Sequence, residues 1–388
     1  MEKLQEKNAL FSLLRYEICG VALSDEEKSA IVPEILQGLY GLSKAHDVVH
    51  LVADALLKNG LVDKNSPAGQ AFFKQLQMAV FRHEQMQYEL ERICEVLEEA
   101  KVPYMPLKGS VLRAFYPQPW MRTSCDIDIY VQKCDLERAA TVIVEKLNYH
   151  NERKTLHDIQ MFSESGVHLE LHYDLIENDV LPAVNKVLMT LWDTTLPVKE
   201  GAYGRKMTEE LFYFYHIAHT AKHFVHGGCG IRPFIDFWII ENKVALDREK
   251  LNELLAEGEL ITFATHANEL SKAWLESKEL TPLSVEMEAY VLTGGVYGTS
   301  ENFISIRAIK QGKIRYVLSR IFMPYRELKL KYPSLEKYPI LYPVYTVRRW
   351  FNLLFIKGRA KRSVRELNVV VTTQKEERIT ELLKKLEL

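Results

Sequence analysis

The chain has 388 residues, of which 47% are apolar and 26% charged, a globular balance that excludes disordered, collagen-like and coiled-coil proteins. Its formal charge of −2 hides an asymmetry: Arg307 to Glu366 holds 16 Lys/Arg against 3 Asp/Glu, a local +13, which leaves −15 for the rest. Five widely spaced cysteines without a CxxC pair argue against a disulfide framework or zinc ribbon, and predict a reducing cytoplasm. The charged start lacks the apolar run of a secretory signal, and the stretch 338–356 is interrupted by Pro339, Pro343 and Arg348-Arg349, so no transmembrane segment is expected.

In chain order, residues 1–100 read as a helical region. Ser24-Asp-Glu-Glu is an N-cap followed by acids, and 71–100 contains neither Gly nor Pro and favours one long helix. The texture changes at Lys101. Val102 to Leu107 is a short strand bounded by prolines, and Ser110 to Phe115 is one or two helical turns. Cys125 to Val131 alternates, with apolar residues at odd positions and Asp126, Asp128 and Tyr130 at even ones, which predicts a half-buried strand. Asp135–Leu147 reads as a helix with Asp135 as its cap, and Thr155–Phe162 as a weaker strand. Val167 to Tyr173 alternates again, with His168, Glu170 and His172 on one face. Residues 101–200 are thus expected to form a small mixed-sheet α+β core. The region 201–388 returns to helices at 209–226, 236–242, 247–257, 261–278 and 373–386, and carries the basic segment 307–366.

Asp126 and Asp128 carry the first chemical signal. Two residues apart on a strand, they point the same way about 6.6 Å apart along the chain. Asp is depleted in strands, and two carboxylates on one face repel unless a cation lies between them. Hard oxygen donors at this spacing suit Mg²⁺, although a solvated acidic face has the same pattern. Lys108-Gly109-Ser110 follows a strand and opens a helix, so its N–H groups and hydroxyl face an anion, with Lys108 and Arg122 adding charge. Glu170 supplies a third acid from another strand, enough to hold two metal ions for in-line displacement at phosphorus.

His216, His219, His223 and His226 follow i, i+3, i+7, i+10 spacing and share one arc opposite Leu211, Phe214, Ala221 and Val225, so they are expected outside the core. A solvated stripe, a cleft wall for phosphate or acceptor, and a metal site through His219 and His223 all fit. Asp236 could orient one imidazole, or be a helix cap or surface acid. The basic segment interleaves cations with tyrosines and Trp350; it could dock on the acidic body or grip nucleic acid.

Lys108-Gly-Ser110, then Tyr-Pro-x-Pro-x-x-Arg at 116–122, Asp126-Ile-Asp128 and Leu169-Glu-Leu-His172 resemble the uncharacterised nucleotidyltransferase group of the DNA polymerase β-like superfamily; Ile231-Arg-Pro-Phe-Ile-Asp236 also looks like that group. The resemblance implies transfer of a nucleoside monophosphate from an NTP to a hydroxyl. Asp126, Asp128 and Glu170 would bind two Mg²⁺, Gly109 and Ser110 the β- and γ-phosphates, and Lys108 and Arg122 would neutralise departing pyrophosphate. His172, His216, His219, His223 and Asp236 are candidates for the cleft or acceptor side. The acceptor is expected to be a small molecule or protein rather than a long nucleic acid. A non-catalytic nucleotide-binding or interaction protein on the same fold is the alternative.

Overall fold

The computed structural model describes residues 2–175, 181–296, 322–355 and 373–388, together with 298, 299, 302, 306, 312, 315, 316 and 318. Local chemistry sets the first helices. Ser24 Oγ accepts from Glu27 N–H while the Glu27 carboxylate accepts from Ser24 N–H, a complete capping box on Asp25–Ala30. Ser66 caps the helix Pro67–Glu99, 33 residues long, and Pro67 sits at its first position, where the missing N–H has no helical partner to lose. Helices Glu2–Leu14, Leu36–Ala45 and Val49–Lys58 pack with it into an N-terminal layer.

The sheet has five strands, β1 (Tyr104–Pro106), β2 (Asp126–Val131), β3 (His150–Lys154), β4 (Asp158–Phe162) and β5 (His168–His172), in the order β1-β2-β5-β4-β3. β2 and β5 run parallel; the other neighbours are antiparallel. Alternation decides which face is which. Ile127, Ile129, Val131, Leu169 and Leu171 are wholly buried against Met86, Ile93 and Leu97 of the long helix and Ile143 of Leu136–Leu147. Each such side chain contributes about 1.5–3 kcal/mol over its exposed state. A one-residue slip of β2 would put its aspartates into that layer, so the register is firmly set. The opposite face carries Asp126, Asp128, Glu170 and His172, and looks across a cavity to the helix Glu209–Val225.

A second core joins the two ends of the chain. Leu10, Leu14 and Leu56 share one cluster with Phe214, Phe234, Phe263 and Trp274, and Phe11 stacks on Trp274 at 4.7 Å. The N-terminal helices are therefore a wall of the site's surroundings rather than an appendage. Two expectations need adjustment. The strand expected from Thr155 starts at Asp158, because Thr155 Oγ1 accepts from the His157 and Asp158 N–H groups and makes a turn. The helix expected from Asp236 starts at Arg232, with Pro233 in its first turn, so Asp236 is inside it and not a cap.

Within the basic segment, Tyr325–Lys331, Ser334–Lys337 and Tyr342–Phe355 are helices; 356–366 and most of 307–321 lie outside the described residues. Among the described residues no helix is long and apolar enough to cross a membrane.

Candidate active site

The register of β2 on β5 brings the acids together. Asp126 pairs with His168, Asp128 with Glu170 and Tyr130 with His172, in strands spaced about 4.8 Å apart. Ligand atoms of Asp126, His168 and Glu170 lie within 4.8 Å of one another, and so do those of Asp128, Glu170 and His172. All but His168 line one cavity of about 350 Å³. Asp128 is buried and accepts from Lys108 Nζ at 2.8 Å; His172 Nε2 lies 2.8 Å from Asp128 and 3.3 Å from Glu170. Burial opposes a charge on Asp128, yet Lys108 and His172 hold its carboxyl well below the usual range. Asp126 lacks such partners, and burial together with Asp128 pushes it up to about 6. Three carboxylates thus face one lysine and one histidine, a surplus of negative charge at the sheet's open face.

Lys108 reaches Asp128 from a strained turn. Its φ of 46° and ψ of −119° lie where only glycine is at ease, at a cost of about 1–3 kcal/mol. The helix that follows, Gly109–Leu112, is a single turn. Gly109 lines the cavity, but a Cβ there would meet Ser124 Cβ at 3.1 Å. Ser110 stands off the cavity wall, with its hydroxyl buried and without a hydrogen-bond partner. Ser124 is the hydroxyl beside Gly109 on the wall, a residue the local motif gave no reason to choose.

The two longer motifs prove to be partners. Asp236, wholly buried, accepts from Tyr116 Oη at 2.6 Å and from Arg122 Nε and Nη2 at 2.7 and 2.9 Å, and His216 Nε2 lies 3.2 Å away. Burial again opposes the charge, and Arg122 and His216 outweigh it. Arg122 Nη1 donates to Thr123 O. The Arg122 guanidinium, expected to meet pyrophosphate, thus binds Asp236 and the backbone of the loop that leads into β2, and it also lines the cavity. Arg232 Nη1 and Thr123 Oγ1 both donate to Asp47, and His50 Nε2 lies 2.8 Å from Met121 O, so the N-terminal layer grips the same loop.

The histidines divide. His216 is buried beside Asp236, contrary to the expectation that none lies in the core; the helix is packed on both sides there, with every residue from Leu211 to Ala218 buried. His219 and His223 line the cavity opposite the carboxylates, their Nε2 atoms 3.0 Å apart, so one ring donates and the other accepts. Burial, Lys108 and His223 press His219 well below the ordinary imidazole range, so it is neutral. Tyr215, Lys222 and Arg232 also line that wall; Arg232 belongs to the Ile231–Asp236 motif, and no local spacing marks Tyr215 or Lys222 in the sequence.

Asp126, Asp128 and Glu170 offer hard oxygen donors that fit a divalent ion such as Mg²⁺. A family described as uncharacterised nucleotidyltransferase matches residues 36–276, a span containing every cavity group named above. No curated protein matches the sequence. Among solved structures, the CCA-adding enzyme of Thermotoga maritima complexed with tRNA is similar with a TM-score of 0.22 and 12% identity, over 80% of this chain and 85% of that one. With more than half its length matched, the chain belongs to the uncharacterised nucleotidyltransferase family.

Proposed function

We infer that the cavity is the active site of a metal-dependent nucleotidyltransferase, which moves a nucleoside monophosphate from an NTP to a hydroxyl acceptor. One observation carries this reading: three carboxylates from two parallel, register-paired strands open onto a single cavity with more negative charge than Lys108 and His172 balance. Asp126, Asp128 and Glu170 would hold two Mg²⁺ ions. Such ions polarise the phosphoryl group and stabilise both the attacking and the leaving oxygen. The acceptor hydroxyl would give its proton to Glu170 as its oxygen bonds to the α-phosphorus, the bond to the α–β bridging oxygen breaks, and pyrophosphate departs. Lys108 is the cation nearest the carboxylates, and its fixed, strained turn holds its ammonium ready for phosphate charge. His172 holds a hydrogen between Asp128 and Glu170 and so fixes both carboxylates. Arg122 and Asp236 act as positioning residues for the loop before β2.

His219 and His223 stand where an acceptor would enter, across the cavity from Asp126. Outside 307–366 the chain carries −15, which disfavours a long polyanion and supports a small molecule or protein hydroxyl as acceptor. Five unpaired cysteines support a reducing, cytoplasmic setting. The second reading, a nucleotide-binding protein without turnover, draws on the Lys108–Asp128 ion pair, which satisfies Asp128 with no metal.

The test is incubation of the purified chain with each labelled NTP and Mg²⁺, with small-molecule hydroxyls and protein as acceptors. Pyrophosphate release or label transfer, lost in Asp126→Asn/Asp128→Asn, supports the enzyme. NTP binding with no release for any nucleotide or acceptor favours the second reading.

A further inference from the structure

A helix on the surface of a folded protein ordinarily turns its apolar stripe inward and its polar face to water. The helix Tyr342–Phe355 instead leaves an apolar stripe open to water. Ile340, in the turn that precedes it, is 85% exposed, and Val344, Val347 and Phe351 are 60%, 45% and 58% exposed. At about 100° per residue these four positions fall within an arc of about 60°, so they form one continuous stripe. Among the helix residues whose side chains are described, Thr346 and Arg349 are buried, and Tyr342, Tyr345 and Trp350 are half-buried. Aromatic side chains border the stripe: Tyr338 is exposed, and Phe322, also exposed, meets Trp350 edge-on at 5.4 Å. Lys331, Lys337 and Arg348 are exposed around it. Residues 322–355 hold six Lys/Arg against two Asp/Glu, a net +4 inside the +13 segment.

We propose that this face docks on an anionic lipid bilayer, with the stripe in the headgroup boundary and the cations on the lipid phosphates. An apolar stripe, a basic margin and interfacial aromatics are the three features such a surface rewards. The helix has 14 residues, about 21 Å, too short to cross a hydrocarbon core of about 30 Å, so it lies on the membrane rather than through it. Charge decides against a second copy, and the apolar stripe against RNA. A second copy joined by two-fold symmetry would set the +4 patch against itself. RNA would satisfy the cations but leave Ile340, Val344 and Val347 without the stacking that single strands exploit. The consequence is that nucleotidyl transfer would take place at a membrane surface.

Flotation of the full-length protein with vesicles tests this. Vesicles of phosphatidylcholine mixed with phosphatidylglycerol should bind at least about tenfold more tightly than phosphatidylcholine alone, and added salt should weaken the binding. Val347→Asp/Phe351→Asp should abolish it with an unchanged circular dichroism spectrum; Val344→Asp alone should weaken it. Three results would overturn the proposal: no preference for anionic vesicles, binding untouched by the substitutions, or a soluble dimer that Val347→Asp converts to monomer. Tight RNA binding that survives Val347→Asp, with no vesicle binding, would likewise reject it and assign the basic residues to nucleic acid.

Discussion

Asp128 and Asp236 are both buried aspartates held ionised by a cation and a histidine, yet their surroundings differ in one respect. Asp236 is itself wholly buried and meets Arg122, His216 and the Tyr116 hydroxyl, and its charge is balanced, although Arg122 and His216 also border the cavity. Asp128 meets Lys108 and His172, but Glu170 shares that His172, Asp126 has no ion-pair partner as close, and all of them face a cavity, so three carboxylates divide two cations. Burial and a depressed pKa therefore do not by themselves separate a structural acid from a reactive one. The unbalanced charge is the difference that supports the proposed metal-binding role of Asp126, Asp128 and Glu170.

Substitution should split the two sites apart. Asp128→Asn should lower metal-dependent NTP turnover by about a thousandfold while the chain stays folded, since Asp126 and Glu170 remain beside Lys108 and His172 as counter-charges and repel each other less; steady-state pyrophosphate release and a melting curve read both. Asp236→Asn should do the opposite. It leaves the Arg122 guanidinium without its counter-charge and should cost about 3–5 kcal/mol in a urea titration, a larger loss of stability than Asp128→Asn causes, with a smaller loss of turnover in the chain that remains folded.

A third buried ionisable group sharpens the contrast through pH. Burial lowers the His46 imidazole from 6.5 to about 4. Its folded pKa lies below the unfolded one, so the unfolded chain takes up a proton that the folded chain refuses. The stability contributed by neutral His46 is complete above about pH 6.5 and is lost as pH falls toward about 4, roughly 3 kcal/mol in all. Urea midpoints measured across that window should fall less steeply in His46→Gln than in the native chain. The smallest effect is expected at Tyr116→Phe, which removes one hydroxyl from the charged Asp236 and should cost about 1.5–3 kcal/mol without changing the KM for NTP.

How far these sites were legible in the sequence follows from how local their causes are. Alternation over 125–131 and 167–173 located β2 and β5 and put their acids on one face, because a strand's period is set by the backbone itself. β3, His150–Lys154, is polar and exposed throughout and carries no period to read. The histidine spacing located a real cavity wall at His216, His219 and His223 but missed that His216 is buried, since a helix buried on both sides has no polar face to reveal. The Tyr116–Arg122 and Arg232–Asp236 motifs were visible, but not their union: a contact across more than a hundred residues leaves no local pattern. Ser124 and Tyr215 had no signal for the same reason.

The most direct test of the charge-surplus account is binding of Mn²⁺, a spectroscopic stand-in for Mg²⁺, followed by electron paramagnetic resonance with a non-hydrolysable NTP analogue present. The account predicts that the native chain and Tyr116→Phe bind Mn²⁺ alike, and that Asp126→Asn/Asp128→Asn, still folded, does not. Equal Mn²⁺ binding by the double variant and the native chain would contradict it.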